Sequence, residues 1–515
     1  MTVRIAEVAA VLALILVGWA VGGAETAGYI GAAVGLMLGL VLAVIPWRGQ
    51  PLWSWVLLYL HRKRTFLWAE PVTVANDRTG GGIRYQDGVA CVAIQVLGTP
   101  HTPTVFTGSA TTYTENTLEV SDLQALLDQC LGLQLDTLTV VTTGARRRST
   151  GDYPRVYDTM IGPPPYAGQR ETWIIARISL YDNADSLRYR LTAGTAAVAA
   201  AQRISAALRR RGVRARVGTS TDIVELERRL GSAALKPGGQ QWKGVRADAA
   251  WLTTYWYRNR DINPHTLAQA WSMQVDGVTQ GVTLFRDGTV SATVTVRTAQ
   301  PLRTPPSVIL GTLHGEQSAA LAANMCAPVP LLRGIQRGPL PESLTIPVGP
   351  SGVLLGKVGE GDRLMLPLSD PAELSRVHIA ADDNLVKRLV IRAAGAGDRV
   401  TVHTRDPYRW ASVRMPDVTV TDRPRPAPGT TISVVDGSMS PAPRPNTVVS
   451  VGPPGQPHRG PADVVITQIG PALLEVNVGN RSATVEMELF RAENRYVSSE
   501  PISMMSGSEF SDERR

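Results

Sequence analysis

The stretch closest to phosphate chemistry is Gly352-Val353-Leu354-Leu355-Gly356-Lys357-Val358. A phosphate loop sets four residues between its glycines, so that backbone N–H groups converge on an anion, and follows its Lys with a Ser or Thr that holds Mg²⁺. Here three residues separate the glycines and a Val follows the Lys; Val-Leu-Leu suits a strand better than an anion nest. A second place to look is Ala381-Asp382-Asp383-Asn384, between a strand ending at Ala380 and a helix. Carboxylates at a helix N-terminus cap it and repel phosphate. Val434-Val435-Asp436 ends a strand with an acid, where nucleotide hydrolases hold Mg²⁺, but without the loop it reads as an acidic strand end. No G-x-S-x-G, H-E-x-x-H or D-x-D occurs, and the seven histidines are scattered without a pair at ligand spacing. Asp182 and Asp185 flank a helix start and read as caps. Nothing marks a nucleophile, a general base, a cofactor site or a metal site, so the expectation is a non-enzyme.

The remaining chemistry-bearing residues are equally quiet. Cys91, Cys130 and Cys326 are far apart with no C-x-x-C, which argues against a disulfide framework or a structural zinc site and suits a reducing compartment. The net charge of +8 is diluted over 515 residues. Its dense clusters beyond the N-terminal region are Arg146–Arg148 and Arg209–Arg211, and no stacking aromatics interleave with them. They read as solvated faces, with a membrane surface or an acidic partner as the secondary reading and no nucleic acid.

The element that positions the rest is N-terminal. Ile5 to Ala24 and Thr26 to Ile45 are apolar runs of about 20 residues, each enough to cross a hydrocarbon core of roughly 30 Å as a helix. The loop between them has no Lys or Arg; Arg4 and Arg48, Arg62, Lys63 and Arg64 lie outside the pair. The positive-inside bias then places both chain ends and the bulk of the protein in the cytoplasm, as a multi-pass protein of the inner membrane. A cleaved signal peptide is the competing reading, disfavoured by one Arg and a second run at once. Gly28, Gly31, Gly35 and Gly39 form a small-residue ridge that lets another helix approach closely, the first span being the nearest candidate. After Pro51, a short run carrying Trp53, Trp55 and Tyr59, followed by His61 to Arg64, reads as a collar lying at the membrane interface.

The expected organisation is a transmembrane hairpin over 1–46, an interfacial helix and basic collar over 47–64 and a first cytosolic α/β domain over 65–235. A second α/β segment over 236–326, a Pro-rich linker over 327–352, a C-terminal α/β domain over 353–497 and a disordered tail over 498–515 follow. Strands at Val89–Leu97, Leu135–Thr142, Thr172–Tyr181 and Val213–Val217, with helices at Ser121–Leu131 and Asp185–Arg211, give the β-α-β-β-α-β order of a ferredoxin-like sheet. A helix over Thr221–Leu230, capped by Thr221 or Asp222, follows. Asp287-Gly288 between two β-rich runs signals a hairpin. A strand, the helix Asp382–Ala394 and a strand at Arg399–His403 make a β-α-β unit in a small parallel sheet, which reads as a nucleotide-hydrolase-like fold that has lost its binding loop.

Four features together resemble the EccE family, the E component of the type VII (ESX) secretion membrane complex of mycobacteria. They are the double apolar run, WSWVLLYLHRKR (Trp53–Arg64), GGIRYQDGVACVAIQV (Gly81–Val96) and VHIAADDNLVKRLVIRAAGAGDRVTVHTRDPYRW (Val377–Trp410). The length suggests an ESX-1-type member. The resemblance implies a non-enzymatic structural subunit of a large inner-membrane complex that supports protein export. Its partners would be EccB-, EccC- and EccD-like subunits and a MycP-like protease, with EccC supplying the ATPase; no catalytic residues carry over. The alternatives are a membrane-anchored glycosyltransferase-like or hydrolytic enzyme, and a regulatory scaffold that uses the basic clusters.

Overall fold

The computed structural model describes residues 2–23, 26–47, 50–60, 68–75, 80–107, 111–145, 152–162, 170–236, 238–329, 332, 334–443, 446–456 and 460–498. The basic triplets Arg62–Arg64 and Arg146–Arg148, and the tail beyond 498, lie outside them. The fold is mixed α/β, with two large sheets behind N-terminal apolar helices.

Helices α1 (Thr2–Gly22) and α2 (Thr26–Val44) pack along each other, and α3 (Leu52–Leu60) follows. Among the described residues one helix, Thr26–Ala43, is long and apolar enough to cross a membrane; Val11–Gly22 is a shorter apolar stretch. The outer surface of the pair is itself apolar, with Leu16, Val21, Ile30 and Met37 exposed.

The first large sheet is antiparallel. Its strands run in the order Val245–Arg246, Trp251–Tyr257, Thr289–Thr298, Gly277–Phe285, Thr137–Ala145, Glu171–Ser179, Val89–Val96, Gly80–Gln86 and Val72–Ala75. Ala215–Val217 pairs with the end of Val89–Val96. The apolar run of Val89–Val96 follows from burial on both faces, because successive side chains of a strand point to opposite sides. Val92 and Ile94 join one core with helix Ala193–Arg210, while Cys91 and Ala93 join another with helix Ser220–Leu230.

The second large sheet has a parallel half, ordered Val418–Thr421, Val400–His403, Ile432–Asp436, Thr447–Gly452, Ser375–Ala380 and Val464–Gln468. An antiparallel half continues it through Leu473–Val478, Arg481–Glu486, Val353–Val358, Asp362–Leu366, Thr104–Thr107 and Thr111–Thr114. Helix Asp383–Ala396 follows its strand Ser375–Ala380, with Asp382 as N-cap accepting from the Leu385 N–H at 2.9 Å. The near-miss phosphate loop is the strand Val353–Val358, as its apolar residues require.

Several boundaries differ from those drawn on the sequence. The first sheet runs through the division at 235/236, because Thr137–Ala145 pairs along its whole length with Gly277–Phe285. Thr104–Thr107 and Thr111–Thr114 leave the 65–235 segment and close the edge of the second sheet. Helix Asp152–Ile161 goes with them and packs on Asp383–Ala396, where Gly395 leaves room for Tyr153 and Tyr157. The Pro-rich 327–352 stretch contributes Thr345–Pro347, which pairs with Thr117–Glu119. The expected helix 121–131 is two 3₁₀ turns, Ser121–Leu126 and Cys130–Gly132, since the chain must double back for Leu123, Leu127, Leu133 and Leu135 all to reach the core. The long helix expected over 185–211 is broken: Ala184–Leu187 is a single turn, and Ala193–Arg210 starts afresh at a Thr192/Thr195 capping box. Helix Ser220–Leu230 is capped by Thr219, not Thr221 or Asp222, with Asp222 as the reciprocal acceptor.

Candidate functional site

Ligands of open α/β sheets sit at the carboxyl ends of the parallel strands. In this chain that edge carries Asp382 and Asp383 after one strand, Thr404, Arg409 and Trp410 after another, and Asp436 at the end of a third. The acids are already engaged. The Arg409 Nε donates to the Asp383 carboxylate at 2.6 Å, and its Nη1 to Asp436 at 2.8 Å. Trp410 Nε1 and Thr404 Oγ1 donate to the other Asp436 oxygen at 2.7 and 3.1 Å. The fully buried Lys387 ammonium lies 3.0 Å from Asp383. Asp382 and Gln468 exchange two further hydrogen bonds. Burial alone would raise the Asp383 carboxyl; the hydrogen bond from Arg409 and the Lys387 ammonium beside it outweigh this and hold the group below its ordinary range. Two carboxylates that could share a cation are thus bridged by a guanidinium. Both acids are legible in the sequence as strand-end carboxylates; Arg409 sits in an undistinguished R-D-P-Y-R-W run and meets them only through the fold.

Behind this edge, Glu493 is fully buried. It accepts from Arg388 at 2.6 Å, from Arg392 at 2.8 Å on each of its oxygens, and from the Tyr153 hydroxyl at 2.8 Å. Burial would raise this carboxyl, but these donors hold it below its ordinary value. The network ties the chain's last described helix, Asn494–Val497, to two others. Only the spacing of Arg388 and Arg392, one helical turn apart, signalled it.

The remaining candidates are structural in their surroundings. Asp182 and Asp185 do not cap: helix Ala184–Leu187 has Asn183 at its N-cap without a side-chain bond, and Asp185 lies 3.6 Å from Arg188. Burial and the charge of Asp182 push the Asp136 carboxyl up to about 6. The three cysteines are free; Cys130 is exposed, while burial pushes the Cys91 thiol up to about 12 and Cys326 upward as well, away from nucleophilic thiolate character.

At the N-terminus the small-residue ridge meets the first helix. A Cβ built on Gly31 would overlap the carbonyl of Gly18, one on Gly35 that of Leu14, and one on Gly28 the carbonyl of Gly23 and the Trp19 ring. Gly39 faces Val11. Two of the collar aromatics touch the α/β body. Trp55 and Tyr59 pack on Trp242, with ring centroids 5.9 and 6.4 Å apart, and Trp242 stacks on His314 at 6.4 Å. Trp53 is half-buried and Tyr59 largely exposed. Trp242 stands alone in a polar, Gly-containing stretch of sequence and meets the collar helix only through the fold.

Fold and site together define the class: an α/β body of two large sheets led by apolar helices, the carboxyl-terminal edge of its parallel strands filled by its own side chains. Residues 166–257 match the family model described as "Putative type VII ESX secretion system translocon, EccE". The chain is 49% identical over 527 residues to the ESX-2 secretion system protein EccE2 of Mycobacterium tuberculosis (strain CDC 1551 / Oshkosh), covering 98% of this chain and 97% of that protein. It is 27% identical over 382 residues to the ESX-1 secretion system protein EccE1 of M. tuberculosis (strain ATCC 25618 / H37Rv), covering 71% and 75% of the two chains. With the ESX-5 secretion system protein EccE5 of Mycobacterium marinum it shares 28% over 182 residues, 34% of this chain and 44% of that one. The chain belongs to the EccE family of type VII secretion proteins, part of a membrane-associated translocon. Its likeness runs further along the ESX-2 member than along the ESX-1 member that length alone suggested.

Proposed function

We propose that the chain is a structural, non-enzymatic subunit of the inner-membrane core complex of a type VII secretion system and supports protein export. The observation that carries this reading is the 49% identity over 98% of the chain to a protein named for such a system. In this reading α1 and α2 cross the membrane as a hairpin, with both termini cytoplasmic and Gly28, Gly31, Gly35 and Gly39 seating one helix on the other. Close glycine contacts and an apolar outer surface support the hairpin. Trp53, Trp55 and Tyr59, with Arg62, Lys63 and Arg64, mark the membrane interface. The neighbours are EccB-, EccC- and EccD-like subunits and a MycP-like protease.

The fold reading is of the same standing. Thr137–Ala145, Glu171–Ser179, Val89–Val96 and Ala215–Val217 lie in the neighbour order of a ferredoxin-like sheet. The parallel half of the second sheet is read as a nucleotide-hydrolase-like fold without its binding loop. Engagement of Asp383 and Asp436 by Arg409 supports a role without catalysis over a hydrolytic or glycosyltransferase-like one.

Affinity purification of the tagged chain from native membranes in mild detergent tests the assembly claim. A large hetero-oligomer is expected; recovery of monomer alone would sink it. Cys130 is the exposed thiol beside two buried ones, so a membrane-impermeant maleimide should label it in inverted vesicles and not in intact cells. Labelling in intact cells would overturn the orientation.

A further inference from the structure

A cavity of about 860 Å³ opens between the two sheets, at the end of the parallel strands opposite the Asp383–Arg409–Asp436 cluster. One wall is the ends of strands Thr137–Ala145 and Thr289–Thr298 and the C-terminal turn of helix Ser220–Leu230. The other wall is residues 397, 399, 416, 417, 429 and 431 of the second sheet. Of its charges, Glu171 is taken by Arg229 at 2.7 Å, and Glu225 by Arg228 at 2.8 Å. That leaves Arg297 and Arg399, both exposed and without an ion pair among the described residues, facing the single carboxylate of Asp417.

We infer that this cavity is a docking site for an extended acidic peptide segment of a partner protein. The surplus of arginine calls for an anion. Two helices, however, direct their C-terminal ends at it: Leu230 and Gly397 line the wall, and each belongs to or follows the last turn of its helix. A helix C-terminus carries negative partial charge and unpaired carbonyls, which disfavours a compact phosphate. A peptide spreads its carboxylates between Arg297 and Arg399 and brings amide N–H groups to the carbonyls. The source of the peptide rests on the assembly reading above; the binding itself does not.

The test uses the purified full chain in detergent and a fluorescein-labelled dodecapeptide of alternating Glu and Gly, followed by anisotropy. Arg297→Gln combined with Arg399→Gln should weaken binding about tenfold or more, with the thermal unfolding midpoint unchanged. Asp417→Asn should tighten it, and Arg260→Gln, an exposed arginine outside the cavity lining, should leave it as it is. Four results would overturn the inference: no binding by the natural chain, equal binding by the double variant, equal binding of a Gln-Gly peptide, or displacement by inorganic phosphate as effective as by unlabelled acidic peptide. Loss of the membrane complex with peptide binding intact would instead count against the assembly reading alone.

Discussion

Arg177 in the antiparallel sheet and Arg392 beneath the parallel one are both shut away from solvent, yet their charges are met differently. Arg177 donates to the backbone carbonyls of Ala323, Met325 and Ala327, at 2.8, 2.9 and 2.6 Å, and to the Thr139 hydroxyl at 2.6 Å. Among the described residues no carboxylate joins it, and burial moves its pKa downward. For Arg392 burial acts in the same sense, but the Glu493 carboxylate outweighs it and the net shift is upward. The first arrangement closes a helix end: the carbonyls belong to the last turn of Gln317–Ala323 and the chain after it, groups that lack intrahelical donors. The second fastens the C-terminal segment to helix Asp383–Ala396. A buried guanidinium on carbonyls tolerates small movements of several partners, whereas a buried charge pair fails when either member is removed.

The contrast can be broken most severely at Glu493. Glu493→Ala leaves two buried guanidiniums without their carboxylate and should cost about 3–5 kcal/mol, read as a lowered midpoint in urea unfolding. Arg177→Met strands several buried carbonyls and should cost less, about 1–3 kcal/mol, by the same assay; a larger loss than that of Glu493→Ala would reverse the ranking. Trp242→Ala should cost about 0.5–1.5 kcal/mol per lost aromatic pair, felt where α3 joins the body and not in either sheet. It should also speed limited proteolysis between α3 and the body, because Trp55 and Tyr59 lose their platform. The last expectation is a pH slope. Asp136 has a folded pKa of about 6, raised from 3.8. The folded state therefore holds a proton that the unfolded state has released, and stability declines as pH rises from about 4 to about 6, then levels. Asp136→Asn should flatten that segment of the stability profile, measured by thermal unfolding across pH.

Some of this was legible locally. Val89–Leu97 and Thr172–Tyr181 were readable as strands because burial on both faces demands unbroken β-rich runs, and Asp287-Gly288 marked its hairpin through turn chemistry. The Asp382 cap was readable from one residue type at one position. The helix break before Thr192 was not, since Ala-rich sequence favours helix on either side of it. Thr104–Thr107 and Thr111–Thr114 are short, polar and rich in Thr, and they become strand only where Asp362–Leu366 offers an edge. The candidate site was half legible. Asp383 and Asp436 stood out as acids at strand ends, while Arg409, which decides what those acids can do, was invisible as their partner.

Composition and spacing alone determined the apolar helices, the mixed α/β class and the want of a working phosphate loop. These depend on interactions a residue makes with solvent, lipid or near neighbours in the chain, and such preferences are written in residue type. Only the tertiary structure decided that residues from before and after 235 share one sheet, that Trp242 receives the collar helix, and that Arg409 closes the strand edge. Those outcomes turn on which distant groups meet, and the energy of an ion pair or a strand pairing exists only once both partners are in place.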